Sequence, residues 1–228
     1  MHTIGLQIVS GELEPGDPLP PEDELTSDLA VSRTVLREAV RVLAAKGLVE
    51  ARPKTGTRVR ARAEWNILDP DVLSWRVEAT NDRRLYEETT EMRLAIEPLA
   101  ARLAATRALD AETAAIAEAY AAMEAGVDDQ AAYLAADLSF HDRILAACHN
   151  ELLGHLAGIL RGVLRTTFEF TTTPQRSRRR ALPLHRAILD GIVAKDADRA
   201  EEAARTLIAD TAADIRRHGS GDGKQKQR

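Results

Sequence analysis

Cysteine, aromatic residues and long apolar segments are all scarce in this 228-residue sequence. Its one cysteine, Cys148, excludes an internal disulfide framework and is typical of a reducing compartment such as the cytoplasm. No apolar run approaches the roughly 20 residues that a membrane-spanning helix needs, so we expect no membrane partner. Aromatic residues make up 4% of the chain, and with abundant alanine this favours helices over sheets.

Basic residues are missing from the first 32 positions, which reveals a strong charge asymmetry. Residues 1–32 carry seven acidic residues and no lysine or arginine, whereas residues 33–62 carry nine basic residues against two acidic ones. A local charge of +7, in a chain of net charge −5, predicts a confined surface for a polyanion. The alternative interpretation is an ordinary solvated charged face.

The first 64 residues predict a compact module. Two short helices are followed by a longer one, for which Ser32 is a good N-cap and Gly47 a good stop. The segments 48–51 and 57–60 then alternate as short strands about a turn that contains proline and glycine. This order predicts a winged helix-turn-helix.

The long helix of this module has two contrasting faces. At 100° per residue, one face collects the apolar residues Val35, Leu36, Ala39, Val40 and Leu43. The other face presents Arg33 and Arg37, one turn apart, which could each donate two hydrogen bonds to a guanine edge. The remaining candidates for DNA contact are Ser32 and Thr34 on the helix, and Lys54, Thr55, Gly56 and Thr57 in the wing tip.

The rest of the chain divides into three parts. Residues 65–80 contain both tryptophans, and their apolar content predicts an inter-domain linker that is packed rather than flexible. Residues 81–218 are helix-compatible almost throughout and predict an all-α bundle of about six helices. Residues 219–228 are rich in glycine, lysine and glutamine and predict a disordered tail. The predicted fold class is therefore mainly α.

Short motifs along nearly the whole chain resemble one family. The N-terminal motifs, at residues 8–16, 32–39 and 46–49, resemble the GntR-family winged helix. The helical motifs, at residues 93–98, 137–141 and 185–190, resemble the FCD-type ligand-binding domain of the FadR subfamily. The junction at residues 65–75 is similar to repressors of sugar-acid catabolism, above all the galactonate-responsive type.

The resemblance implies a ligand-responsive homodimer that binds double-stranded operator DNA with an inverted repeat. It implies that Asp137, His141 and His185 hold a divalent metal and the effector, and that Arg93 binds the carboxylate of a small acid such as an aldonate. Zinc fits this mixed donor set, and nickel, manganese and iron fit it as well. Many metal-binding relatives have another histidine where this chain has Leu207, and some have a DNA-contacting arginine where it has Asp23.

Two other classes of protein fit parts of the pattern. Two histidines and a carboxylate with open coordination positions also describe a metal-dependent enzyme that acts on small organic acids. The sequence shows no clear general base or nucleophile for such a reaction. An architectural DNA-binding protein with an inert helical domain is the third interpretation. Arg93 has an alternative role too, a local ion pair with Glu97 four residues later.

Overall fold

The chain folds into two units. The structure is a computed structural model, and it describes residues 1–53, 56–80, 83–156, 162 and 175–218. The first unit spans Met1–Asp82 and the second begins at Arg83. No helix within the described ranges is long and apolar enough to cross a membrane. The predicted tail, residues 219–228, lies outside the described residues.

The N-terminal unit has the predicted winged helix-turn-helix order. Its helices are α1 (His2–Ser10), α2 (Glu22–Asp28), α3 (Arg33–Ala45) and α4 (Pro70–Thr80), and its strands are β1 (Val49–Arg52) and β2 (Gly56–Val59). The strands pair antiparallel, with Val49 opposite Val59 and Arg52 opposite Gly56. Gly47 follows α3 with a φ of 75°, and a Cβ there would lie 2.5 Å from the carbonyl oxygen of Glu64. The predicted fold class is confirmed.

Helix α3 begins as predicted but buries a narrower face. The hydroxyl of Ser32 accepts a hydrogen bond from the backbone N–H of Val35 and caps the helix. Leu36 and Leu43 are buried among the apolar residues of this unit, whereas the Val35 side chain is 55% exposed. Val35 shares the apolar face with Leu36 and Leu43 but stays outside the buried part of it, because the core meets α3 along the line of Leu36 and Leu43.

Residues 65–80 pack into the N-terminal unit, whereas the sequence predicted a separate linker between domains. Trp65 and Trp75 are buried in the same core as Ile4, Ile8 and Leu43. A Cβ added to Gly5 would lie 2.4 Å from the Trp75 ring, so glycine lets α1 approach α4 closely. The predicted boundary at residue 64 therefore differs from the observed division at Asp82 because α4 completes this core.

The second unit is built from helices. They are α5 (Arg83–Arg107), α6 (Asp110–Ala125), α7 (Gln130–Ala147), α8 (Gln175–Val193) and α9 (Ala197–His218), and residues 151–156 are also helical. The Asp129 side chain caps α7, and the Asp196 side chain accepts a backbone N–H at the start of α9. Ser177 lies buried inside α8.

The core of this unit fixes the positions of α5, α7 and α8. Phe140 on α7 and Ile188 on α8 are almost fully buried in it, and Ala100 and Ala104 bring α5 close. Leu99 on α5 is 42% exposed. Small alanine side chains allow the helix backbones to approach, so the polar residues of these three helices meet inside the bundle.

Candidate functional site

Both predicted recognition arginines lie on the open side of α3, and each contacts an acidic residue of α2. The Arg33 Nη2 atom donates to the Asp23 carboxylate at 2.8 Å. The Arg37 guanidinium donates to Glu22 through Nε at 3.1 Å and Nη2 at 3.4 Å. All four side chains remain at least 38% exposed, so they stay accessible to a partner such as DNA.

The other predicted DNA contacts lie at the helix start and in the wing. Ser32 and Thr34 are exposed at the first turn of α3. Gly56 and Thr57 begin β2, and Gly56 has a φ of 77°, a conformation that glycine adopts without strain. Lys54 and Thr55, the remaining predicted wing residues, lie outside the described residues. The contact of these residues with DNA therefore stays a prediction.

The structure brings the three predicted metal ligands together inside the second unit. Asp137 and His141 lie one turn apart on α7, and His185 reaches them from α8. All three side chains are buried, and each offers one ligand atom that lies within 4.8 Å of the other two. The Phe140 ring packs edge-on against both imidazoles, at centroid distances of 5.6 and 5.4 Å, and holds their planes.

The hydrogen bonds of His185 define which ring nitrogen faces the cluster. Its Nδ1 lies 2.9 Å from the carbonyl oxygen of Ala181, and because a carbonyl only accepts, Nδ1 carries a proton. Nε2 lies 2.9 Å from Oδ1 of Asp137 but is not aligned for a hydrogen bond with any described residue. Oδ2 of Asp137 is likewise without a hydrogen-bond partner there. Such orphaned buried atoms suit a divalent cation.

Arg93 and Glu97 form the second half of this buried cluster. They lie one turn apart on α5, and the Arg93 Nε donates to Oε1 of Glu97 at 2.6 Å. The other oxygen of Glu97, Oε2, is 3.2 Å from Nδ1 of His141. The local ion pair considered from the sequence is therefore formed. The contact between Glu97 and His141 was not predicted, because no sequence pattern relates α5 to α7.

Burial and charge act in opposite directions on the ionisable groups of the cluster. Burial by itself would raise the pKa of Glu97, but Arg93 and His141 outweigh burial and lower it. Burial also opposes ionisation of Asp137, yet contact with His185 and the charges of His141 and Arg93 leave its pKa lowered. For His141, burial would lower the pKa, but Glu97 and Asp137 raise it. Both carboxylates are therefore ionised at neutral pH.

A narrow cavity adjoins the cluster. Its walls include Glu97, His141, Ile144 and Ile188, and its free space is about 10 Å³, enough for one water-sized group. Leu207 is buried in the apolar core. The resemblance places a further histidine at this position in many metal-binding relatives. Among the three candidate metal ligands, His141 lines this cavity, and a sugar acid would need the wall side chains to move.

Two family matches cover both units of the chain. Residues 2–59 match the bacterial regulatory proteins of the gntR family, and residues 88–210 match the FCD domain. The second match alone spans more than half of the sequence. The chain therefore belongs to the GntR family of regulators that carry an FCD domain.

Known relatives agree with this assignment. The chain is 40% identical to the galactonate operon transcriptional repressor of Escherichia coli (strain K12), over 91% of each chain. It is 30% identical to the HTH-type transcriptional regulator LutR of Bacillus subtilis (strain 168), over 86% of this chain and 90% of that one. Among solved structures it is similar to Streptococcus agalactiae GntR, with 25% identity, a TM-score of 0.54 and coverage of 93% and 99%.

These matches decide between the classes of protein that the sequence left open. The family, the relatives and the solved structure are transcriptional regulators, so the chain is a ligand-responsive DNA-binding regulator and not an enzyme. The buried carboxylate–histidine cluster lies within the part of the chain that matches the FCD domain.

Proposed function

We propose that this chain represses an operon for sugar-acid catabolism and leaves its operator when a small carboxylic acid such as galactonate or another aldonate binds. The observation that carries the proposal is the buried cluster of Asp137, His141 and His185 beside the Arg93–Glu97 pair. It occurs in a chain 40% identical to a galactonate operon repressor. An aldonate offers such a site a carboxylate and an adjacent hydroxyl, both hard oxygen donors.

Asp137, His141 and His185 would hold a divalent metal ion. The fit is supported by the orphaned Asp137 Oδ2 and His185 Nε2, and by the mixed nitrogen and oxygen donors, which suit zinc and also nickel, manganese or iron. When bound, the metal would supply open coordination positions for the effector's oxygen atoms. Glu97 orients the His141 ring through Nδ1, and Ala181 orients His185 in the same way.

Arg93 is proposed to bind the effector carboxylate, but not as an isolated charge. Glu97 already compensates the charge of Arg93 without any effector. Because a guanidinium has five N–H donors, Arg93 could keep its contact with Glu97 and donate others to a carboxylate. Discrimination against neutral sugars would then come from the added charge-assisted hydrogen bonds rather than from relief of an unpaired cation.

The N-terminal unit is proposed to dock on operator DNA through α3. Arg33 and Arg37 would contact base edges, and Ser32 and Thr34 would lie near the phosphates. The wing, with Lys54, Thr55, Gly56 and Thr57, would lie along the backbone or minor groove. A homodimer with two-fold symmetry would require an inverted-repeat operator. As a regulator that binds DNA, it would act in the cytoplasm.

The decisive test uses an inverted-repeat duplex that the protein itself selects from a randomised pool. Metal-loaded protein on this duplex is titrated with galactonate, gluconate, the parent aldoses, lactate and a fatty acyl thioester, and release is followed by mobility shift. We expect release by an aldonate and none by the matching aldose. Release by sugars or thioesters, with every aldonate inactive, would overturn the proposed effector. No release by any compound would favour an architectural protein.

A further inference from the structure

The helix in front of the recognition helix carries acidic side chains that hold the recognition arginines. Asp23 accepts from Arg33 at 2.8 Å, and Glu22 accepts from Arg37 at 3.1 Å. Leu25 of α2 and Leu36 of α3 are buried in one core, which fixes the two helices side by side. The carboxylates are therefore presented to the arginines by packed helices, at the surface predicted to face DNA.

These ion pairs contribute little to folding. The arginines are 68% and 71% exposed, and exposed ion pairs in water are weak because solvent screens them. Their position suggests another role. Although residues 33–62 are strongly basic, residues 1–64 together carry nine basic and ten acidic residues, a net charge of −1. A DNA-binding unit of this charge gains little from general attraction to phosphates.

We propose that Glu22 and Asp23 are specificity determinants that suppress binding to DNA lacking the operator. Each carboxylate neutralises the arginine beside it, and neutralised arginines release fewer counterions from a phosphate backbone. Hydrogen bonding to a guanine edge depends less on the net charge of the arginine than phosphate contact does. Arg33 uses only Nη2 toward Asp23, so several of its five N–H donors remain for the guanine acceptors while the ion pair persists. The carboxylates therefore weaken phosphate contact more than base readout.

The inference rests on the proposed docking of α3, so the experiment separates the two. Asp23→Asn, Glu22→Gln and the double variant are compared with Arg33→Ala on the selected inverted-repeat duplex and on a scrambled duplex of equal composition. Affinity is measured by fluorescence anisotropy over a range of salt concentrations. Glu24→Gln is the matched control, because Glu24 is an exposed acid on the same helix with no ion pair to the described arginines.

The double variant should bind the scrambled duplex about five- to tenfold more tightly, with a salt slope steeper by about 1. Its affinity for the selected duplex should rise less, so the specificity ratio falls, while Glu24→Gln changes the ratio little. An equal gain on both duplexes, an equal effect of Glu24→Gln, or weaker binding to the selected duplex would overturn the inference. Unchanged binding by Arg33→Ala would instead overturn the docking of α3.

Discussion

Nε2 of His185 lies 2.9 Å from Oδ1 of Asp137, while the opposite nitrogen of the same ring is held by a backbone carbonyl. With Nδ1 protonated, a bare Nε2 and the carboxylate oxygen would both be acceptors, so either a proton on Nε2 or a cation must compensate a contact at this distance. This relationship joins α7 to α8 in the interior of the second unit. The first prediction follows from it.

Asp137→Ala, His141→Ala and His185→Ala should each sharply reduce stoichiometric metal, because each removes one of three clustered ligands. Leu207→Ala should leave metal content largely unchanged, since Leu207 packs in the apolar core. Elemental analysis after exhaustive dialysis measures the outcome. Full occupancy in the three ligand variants would refute the site.

Glu97→Gln should weaken metal binding about tenfold, because the carboxylate that orients His141 is lost while the ligands remain. The matched control is Glu112→Gln, which alters a partly exposed carboxylate 2.8 Å from His149, outside the cluster. Competition with a chromophoric chelator gives both affinities. Equal affinities for the Glu97 and Glu112 variants would show that the contact with His141 does not position the ligand.

Arg93→Ala should keep binding to DNA and metal but lose release by an aldonate. The substitution also leaves Glu97 buried beside His141 without its arginine, so a lower melting temperature is expected as well. The informative quantity is therefore the aldonate concentration that releases half of the bound duplex, measured well below the melting transition. An unchanged value would exclude Arg93 from effector binding.

Arg33→Ala and Arg37→Ala should each lose about 1–3 kcal/mol of specific binding and relax discrimination at the contacted bases. Lys54→Ala should instead weaken binding to all duplexes similarly and reduce the salt slope. Titrations of single-base operator variants distinguish these patterns. Normal binding of the selected duplex by either arginine variant would mean that α3 does not read bases.

Lys46→Met should destabilise the N-terminal unit by about 1–3 kcal/mol, because Lys46 joins the end of α3 to the start of α4. Its ammonium lies 2.8 Å from Asp69 and 2.7 Å from Asp71, and its side chain is 12% exposed. Urea unfolding followed by tryptophan fluorescence reports on this unit, since Trp65 and Trp75 are the chain's two tryptophans. Arg41→Met, on the exposed side of α3, should cost far less.

The same ion pair sets an expected pH dependence. Burial by itself would lower the pKa of Lys46, but Asp69 and Asp71 outweigh burial and raise it above 10.5. A base with a raised pKa stabilises the folded state below its unfolded pKa and loses that contribution as the pH rises through its folded pKa. The difference in unfolding free energy between wild type and Lys46→Met should therefore persist at neutral pH and shrink only above about pH 10.5. A difference that disappears already at pH 8 would contradict the assignment.

The sequence by itself determined the features that depend on near neighbours. The Ser32 cap, the Gly47 stop and the wing follow from local backbone preferences, and the one-turn spacing of Asp137 and His141 follows from helical periodicity. Family motifs added His185, which lies far from the other two in sequence but meets them in the fold. Local chemistry and motif spacing were sufficient for these.

Only the tertiary structure decided which distant groups meet. Glu97 contacts His141 because α5 packs beside α7, and Asp23 reaches Arg33 because α2 and α3 share a core. Trp65 and Trp75 belong to the N-terminal core for a similar reason. Gly5 on α1 leaves space for the Trp75 ring of α4. Periodicity in the sequence indicates which face of a helix is apolar. How the helices pack decides which partner covers this face and which charged side chains that partner brings to it.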